Sequence, residues 1–305
     1  MRDNNDSSKP LSKPLSKPLS EPLSEPLSEP FRHQARKRFG QNFLHDQNII
    51  RRIIAAVAAQ PADHIVEIGP GQGALTRQLV HSGARIDAVE LDRDLAAYLQ
   101  QTLGETPEFN LHQADILKFD LAPLVVPGER LRIIGNLPYN ISTPCLFHLF
   151  RYHSLIKDMI FMLQLEVVQR LAAQVGDSHY GRLGIMAQYY CQIEPLFTVP
   201  PGAFTPQPKV NSAIVRLTPY EILPLPAEDL TCFQNVVRTA FNQRRKTLRN
   251  CLRGLISAEQ LSLLSIDPNA RPENLSLADY VTISNVVSST PAGATPAAKK
   301  RGDKH

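Results

Sequence analysis

Short apolar runs recur between residues 64 and 217, and segments with the spacing of amphipathic helices separate them. The runs are four to seven residues long, which is typical of buried strands and too short for most helices. Alternating strands and helices predict an α/β fold, with a mostly parallel sheet that carries helices on both faces. The predicted strands are residues 64–68, 85–91, 109–114, 131–134, 159–163 and 212–217.

Helical periodicity is clearest before the first of these runs and after the last. Apolar side chains within residues 49–57 share one helical face, and Asp46 is placed to cap that helix. After the last strand the pattern is entirely helical, and one long helix is predicted from about residue 229 to 255. Ser257 and Ser276 are each followed three residues later by an amide or carboxylate side chain, which predicts two further capped helices.

The sequence at each end of the chain predicts a disordered tail. The N-terminal end repeats Ser-Lys-Pro-Leu and then Ser-Glu-Pro-Leu, and a proline at every fourth residue prevents helix and sheet formation. The predicted parts are a Ser/Pro/Leu-repeat tail over residues 1–33, an α/β domain over 34–220, a small helical domain over 221–289 and a basic tail over 290–305.

Composition narrows the classes of protein. The chain has 305 residues, 43% of them hydrophobic, and a net charge of +4, which is weak support for a nucleic-acid partner. No apolar run of 18 residues is present, and the N-terminus lacks the apolar core of a secretory signal, so we expect a cytoplasmic protein without a membrane partner. The four scattered cysteines and nine histidines show no metal-ligand spacing, so no metal is predicted.

A glycine-rich turn follows the first predicted strand. Missing side chains in such a turn let a ligand approach backbone N–H groups. Gly69, Gly71 and Ala74 match the GxGxxA pattern of dinucleotide sites, whereas Gly69, Gly71 and Gly73 match the GxGxG pattern of S-adenosylmethionine enzymes. Glu90 ends the next strand at the distance where a carboxylate binds ribose hydroxyls in both classes. Hydride transfer and methyl transfer fit this turn almost equally.

Residues 135–142 follow another predicted buried strand, at the sheet edge where open α/β sheets bind ligands. Asn136 offers an amide and Tyr139 an aromatic ring, which together can hold an amino group on a flat heterocycle. Asp115 ends the third strand, where it could accept a hydrogen bond from an adenine amine or close an Asx turn. Phe204, among four prolines, is interpreted as a second stacking surface or a hydrophobic plug.

Basic residues cluster at two places. One group precedes the first helix, and the other falls on the predicted long helix at spacings of seven, four and four, so that its arginines would share a face. Few acidic residues are interleaved, which favours contact with phosphates over an ordinary solvated surface. The predicted RNA-binding residues are Arg36, Lys37, Arg38, Arg238, Arg244, Arg245, Lys246, Arg249 and Arg253.

Five separated stretches stand out along the chain, namely Arg38-Phe-Gly-Gln-Asn-Phe-Leu44, Val66-Glu-Ile-Gly-Pro-Gly-Gln-Gly73, Asn136-Leu-Pro-Tyr139, Phe204-Thr-Pro-Gln-Pro-Lys-Val210 and Phe241-Asn-Gln-Arg-Arg-Lys-Thr247. Together and in this order they resemble the ribosomal RNA adenine dimethyltransferases, and most closely their bacterial branch acting on 16S rRNA. The N-terminal repeat departs from that family's pattern.

The resemblance implies a Rossmann-like, S-adenosylmethionine-dependent methyltransferase domain with a seven-stranded sheet, followed by a small helical C-terminal domain. It implies dimethylation of two adjacent adenosines near the 3′ end of small-subunit rRNA, with that rRNA or an assembling 30S particle as partner of a monomeric enzyme. The residues implied to line the S-adenosylmethionine site are Asn42, Leu44, Gly69, Glu90, Asp115 and Asn136, and Gly71 joins them through its GxGxG match.

The expected chemistry needs orientation more than a strong base. The Asn136 side-chain oxygen and the Leu137 carbonyl would accept both N–H bonds of the adenine amine and aim its lone pair at the methyl group. Tyr139 and Phe204 would clamp the flipped-out base. Three alternatives remain open from the residues: a nicotinamide-dependent oxidoreductase, a DNA adenine methyltransferase and a non-catalytic ribosome-assembly factor.

Overall fold

The computed structural model describes residues 40–243 and 245–290. The predictions for Arg36, Lys37, Arg38 and Arg244, and those for the two tails up to residue 39 and from residue 291, lie outside the described residues.

A seven-stranded mixed sheet forms the centre of the described part of the chain, and a two-stranded sheet lies beside it. In order across the large sheet the strands are β4-β3-β2-β5-β6-β9-β7; the first five run parallel, and β9 is antiparallel to both of its neighbours. The predicted Rossmann-like α/β fold is therefore confirmed. The strands are β1 (Phe43–Leu44), β2 (His64–Ile68), β3 (Arg85–Glu90), β4 (Phe109–Gln113), β5 (Leu131–Asn136), β6 (Ile156–Gln164), β7 (Cys191–Val199), β8 (Phe204–Thr205) and β9 (Ser212–Pro219).

Helices cover both faces of this sheet and continue into the C-terminal region. Asp46 accepts backbone N–H bonds at the start of the first helix, and Ser257 and Ser276 form capping boxes, which confirms all three predicted caps. Among the described helices, none is long and apolar enough to cross a membrane. The helices are α1 (Gln47–Val57), α2 (Thr76–Leu79), α3 (Arg93–Leu103), α4 (Ser142–Phe150), α5 (Leu165–Ala172), α6 (Arg182–Tyr190), α7 (Leu230–Phe241), α8 (Leu248–Cys251), α9 (Ala258–Leu263) and α10 (Leu277–Ser289).

Successive side chains of each strand point to opposite faces of the sheet, so the core consists of two hydrophobic clusters, one on each face. Ile65 of β2 is fully buried in the cluster that contains residues of α1 and α3, whereas its neighbour Val66 faces the cluster that contains residues of α4, α5 and α6. This second cluster also takes in Phe233 of α7 and Tyr280 of α10, both fully buried. The C-terminal helices therefore pack on the same core as the sheet.

The predicted continuous helix over residues 229–255 is wrong. Helix α7 ends at Phe241, and the next helical turn begins only at Leu248. After the break, the backbone pairs with a later loop. The Leu248 N–H donates to the Ala270 carbonyl at 2.9 Å, and the Arg249 N–H donates to the Pro268 carbonyl at 3.1 Å. A loop distant in sequence thus supplies partners that a continuous helix would have supplied internally.

A buried ionic network fixes the amino-terminal ends of the central strands. Arg132 on β5 donates two hydrogen bonds to Asp158, one to Asp63 and one to the Val57 carbonyl, at distances of 2.7 to 2.9 Å. The Asp63 carboxylate also accepts from Lys157. These bonds tie the end of α1, β5 and the start of β6 together and thereby set where the opposite end of β5 lies.

Candidate active site

A cavity of about 320 Å³ opens at the carboxyl-terminal edge of β2, β3, β4 and β5. This edge is where parallel strands of α/β folds present their ligand-binding loops. Five runs of the chain supply most of its wall, namely residues 40–44, 67–72, 89–92, 114–117 and 136–141. All seven residues predicted to bind the cofactor lie in these runs: Asn42, Leu44, Gly69, Gly71, Glu90, Asp115 and Asn136.

The glycine turn and Glu90 form one hydrogen-bonded unit in this wall. Gly69 and Gly71 have φ angles of +64° and +60°, which residues with a side chain rarely adopt. The Gly71 N–H donates to Glu90 Oε2 at 3.1 Å, and the Asp92 N–H donates to Glu90 Oε1 at 2.8 Å. Burial raises the pKa of Glu90, while these two backbone donors oppose the rise. The carboxylate is therefore held in a fixed orientation at the end of β3.

Glu67 is a second buried carboxyl group in the wall, and it was not among the predicted site residues. Its side chain is only 2% exposed, and Oε2 has no hydrogen-bond partner in the described structure. Burial raises its pKa to about 7; the Glu90 carboxylate adds to the rise, and the Thr76 hydroxyl opposes it. An acidic residue within a mostly apolar strand, two positions before the first glycine of the turn, was the sequence signal that could have identified it.

Asn136 is oriented by the N-terminal part of the cavity wall. Its Nδ2 donates to the Asn42 carbonyl at 3.0 Å, so that Oδ1 is left as an acceptor to which no described residue donates. Leu137 follows with a fully buried side chain, and its N–H donates to the Met162 carbonyl at 3.2 Å. The Pro138 carbonyl accepts from two later backbone N–H groups. These bonds fix the turn, and the Leu137 carbonyl oxygen, like Asn136 Oδ1, receives no donor from the described residues.

The aromatic ring of Tyr139 lies at the same turn. Its hydroxyl is 2.9 Å from Oγ of the buried Ser212, which anchors the far end of the ring. Asp115 follows β4, the strand at one edge of the large sheet. Its Oδ1 accepts a hydrogen bond from the Leu117 N–H at 3.0 Å. The predicted Asx turn is thus present, and Asp115 also lines the cavity.

Phe204 departs from the expected arrangement. The structure does not place its side chain in the cavity wall; the ring is 3% exposed and packs in the hydrophobic cluster on the α1 side of the sheet. In the small sheet, Phe204 pairs with Leu44, which does line the cavity. The described structure agrees with a hydrophobic plug, and the stacking role stays a prediction that would require the ring to become exposed.

The charge of the cavity favours one of the two cofactor classes. Its described wall contains four carboxylate residues and neither lysine nor arginine. A dinucleotide brings an anionic pyrophosphate, which this wall would repel, whereas S-adenosylmethionine brings a sulfonium and an ammonium group. The fixed Glu90 carboxylate suits ribose hydroxyls, and the unpartnered Glu67 oxygen suits a cationic donor. The residues present therefore fit S-adenosylmethionine. No group of three or more potential metal ligands occurs in the described part of the chain.

The predicted arginine face is exposed but is not one helical surface. Arg238 lies on α7, Arg245 lies in the break after it, Arg249 lies on α8 and Arg253 follows that helix. All four are exposed, as is Lys246, and none forms an ion pair with a carboxylate of the described residues. The cations remain available to a partner, but the prediction that they share one helical face is wrong.

Comparisons with known proteins agree with this site. The family model described as ribosomal RNA adenine dimethylase matches residues 32–289. The chain is 58% identical over 258 residues to ribosomal RNA small subunit methyltransferase A of Marinobacter nauticus, covering 85% of this chain and 93% of that protein. It is 56% identical over 259 residues to the protein of the same name from Pseudomonas aeruginosa, covering 85% of this chain and 97% of that protein.

Solved structures show the same fold. A dimethyladenosine transferase from Plasmodium falciparum superposes with a TM-score of 0.68 and 25% identity, over 79% of this chain and 95% of that one. The 23S rRNA methyltransferase ErmE superposes with a TM-score of 0.62 and 24% identity, over 81% of this chain and 100% of that one. With its acidic cavity, its glycine turn and its Asn136 turn in place, this chain belongs to the ribosomal RNA adenine dimethylase family, whose members are S-adenosylmethionine-dependent methyltransferases.

Proposed function

We propose that this chain transfers methyl groups from S-adenosylmethionine to N6 of two adjacent adenosines near the 3′ end of small-subunit (16S) rRNA. The observation that carries the proposal is the pair of acceptor oxygens, Asn136 Oδ1 and the Leu137 carbonyl, at the rim of an acid-lined cavity. An exocyclic amine has two N–H bonds to donate, and this turn presents two fixed acceptors.

The bound cofactor would supply an electrophilic methyl group on a sulfonium centre. The chain's own residues then have three tasks. Glu90 and the glycine turn would hold the ribose, and Glu67 would face the cationic part of the cofactor. Asn136 and Leu137 would accept both amine hydrogens, which favours a pyramidal nitrogen whose lone pair points into the cavity.

Base capture is assigned to aromatic stacking. Tyr139 is placed at the rim with its hydroxyl anchored by Ser212, so its ring is preorganised to receive a flipped-out base. Stacking on such a ring is sequence-tolerant, so it supplies binding energy without selecting adenine. The two acceptors would select a base that carries an exocyclic amino group and would exclude uracil, because only an amino group can satisfy both of them.

RNA engagement is assigned to the exposed cations beyond the cavity. Arg238, Arg245, Lys246, Arg249 and Arg253 would contact backbone phosphates, with Arg36, Lys37, Arg38 and Arg244 as further members outside the described residues. We propose that residues 34–220 act as the methyltransferase domain and residues 221–289 as the RNA-binding domain. We further propose a monomer that works in the cytoplasm on rRNA or on the assembling 30S particle.

The test is transfer of tritiated methyl groups from S-adenosylmethionine into unmodified small-subunit particles, free small-subunit rRNA and duplex DNA. We expect labelled N6,N6-dimethyladenosine in the particle or the rRNA and none in DNA. Glu90→Ala is the matched loss-of-cofactor control. Labelling of DNA would indicate a DNA adenine methyltransferase, and binding of rRNA without any methyl transfer would indicate an assembly factor.

A further inference from the structure

Arg182 lies in electrostatic surroundings that disfavour a cation. It is the first residue of α6, where the helix dipole is positive. The ring centroids of Tyr180 and Phe241 are 6.5 Å apart, so the start of α6 lies against the end of α7, where Arg238 precedes Phe241 by about one turn. Partial burial and the Arg238 guanidinium both lower the pKa of Arg182. Neither arginine forms an ion pair with any carboxylate in the described residues. Two neighbouring guanidinium groups without an acidic partner fit an anion that binds between them.

The side chain of Arg182 is held in place rather than free in solvent. Its guanidinium carbon lies 4.9 Å from the ring centroid of Phe147, a half-buried residue of α4. Arg238 is oriented separately, by a hydrogen bond of 2.8 Å from its guanidinium to Asn235 Oδ1. An arginine on an aromatic ring is a common surface packing pair. That packing accounts for the Phe147 contact, but it does not account for a second unpaired cation beside it.

The position of this group links it to the cavity. Helix α4 begins at Ser142, directly after the turn over residues 136–141 that lines the cavity. Phe147 follows the last of those residues by six positions, which corresponds to about 9 Å along a helix axis. An RNA strand that places one base in the cavity would carry its next phosphates over this part of α4.

We propose that Arg182 and Arg238 together bind one backbone phosphate of the RNA strand next to the target adenosine, with Phe147 as the residue that positions Arg182. The inference rests on the proposed function, because it takes the strand's path from the base in the cavity. RNA fits better than an acidic protein segment because a phosphate recurs at every nucleotide and matches the planar guanidinium geometry. Arg182 was not among the RNA-binding residues that the sequence indicated.

The experiment measures the affinity of the full-length protein for unmethylated small-subunit rRNA as a function of salt. Each lost phosphate contact flattens the log–log slope by about 0.7 on single-stranded nucleic acid. We expect Arg182→Gln to flatten the slope, and Arg182→Gln with Arg238→Gln to lose less than the sum of the two single changes, because both contact one phosphate. Phe147→Leu should weaken binding in the wild-type background and have no further effect beside Arg182→Gln.

Arg130→Gln is the matched control, since it removes an arginine that is already paired with Glu221 at 2.7 Å. It should leave the slope unchanged. S-adenosylhomocysteine binding and the maximal methylation rate at saturating RNA should be as in the wild type for Arg182→Gln, while KM for RNA rises. An unchanged slope for Arg182→Gln, or fully additive losses in the double variant, would overturn the shared-phosphate assignment.

The experiment also distinguishes failure of the phosphate site from failure of the proposed function. A wild-type protein that neither methylates nor prefers this rRNA would remove the proposed substrate. The same variants are therefore also measured on polyadenylate, which offers phosphates without a ribosomal sequence. A flattened slope there would retain the phosphate site while the substrate proposal fails, and an unchanged slope would reject both.

Discussion

Glu67→Gln is expected to make the cofactor-free protein more stable at pH 8 and to remove a pH dependence of its stability. The Glu67 carboxyl is buried without a partner for Oε2, and burial raises its pKa from an ordinary 4.5 to about 7. One pKa unit corresponds to about 1.4 kcal/mol. Keeping Glu67 ionised in the fold therefore costs on the order of 3 kcal/mol relative to the unfolded chain.

The direction follows from proton binding. Between pH 4.5 and about 7 the folded protein retains a proton that the unfolded chain has released, so the free energy of unfolding falls as the pH rises. Above pH 7 both states are ionised and this contribution is constant. A glutamine is neutral at every pH, so the variant lacks this pH-dependent contribution to stability.

Urea unfolding of wild type and Glu67→Gln at pH 5, 6, 7 and 8 measures the effect. The stability advantage of the variant should grow by about 3 kcal/mol from the acidic to the basic end. Glu90→Gln is the matched control: the Glu90 carboxylate accepts two backbone N–H bonds, so an amide there places N–H against N–H and should destabilise the fold. An advantage that is the same at pH 5 and pH 8 would refute the argument, because Glu67 would then titrate alike in both states.

Four further substitutions test the Asn136 turn and the ionic network around Arg132. Asn136→Ala should slow single-turnover methyl transfer roughly a hundredfold to a thousandfold while the protein still folds, and undiminished transfer would reduce the segment to a structural turn. Tyr139→Phe should keep the ring, lose the bond to Ser212 and cost about 1 kcal/mol of unfolding free energy, whereas Tyr139→Ala should weaken RNA binding by about 1–3 kcal/mol. Arg132→Leu leaves two largely buried carboxylates without their main partner, so urea unfolding should show a loss of about 3–5 kcal/mol; a smaller loss would mean that water reaches them.

The strands could be predicted wherever burial is continuous. Strand β2 is buried at every position and stands out as an apolar run, and β3 and β5 are each buried at all but one position. Strand β7 was missed because it is an edge strand with only its two ends buried, and it contains Pro195 and a register irregularity after it. The break after α7 has no glycine or proline signal, because its cause is the pairing of Leu248 and Arg249 with a later loop.

Site residues could be predicted where they belong to a short sequence motif at the end of a strand. The glycine turn, Glu90 and the Asn136 turn each follow a strand, and strand ends meet at one sheet edge, so a linear pattern becomes a cavity. The sequence could not decide between the two interpretations of Phe204, because its surroundings depend on Leu44, whose pairing with it spans 160 residues of chain and is not visible in sequence spacing. Arg182 escaped notice for the same reason, since its neighbours Phe147 and Arg238 lie on two other helices.

The pairing of β1 with β8 also orders events during synthesis. The strand at Phe43–Leu44 is made early, yet its partner at Phe204–Thr205 leaves the ribosome only after all five parallel strands have been produced. At about 5–20 residues per second, roughly 10 to 30 seconds separate the synthesis of β1 from that of β8. We therefore expect a nascent chain to bind the methyl donor tightly only after residues 204–205 have emerged and paired with β1. Affinity for S-adenosylhomocysteine, measured on chains arrested at successive lengths, would report when this long-range contact closes.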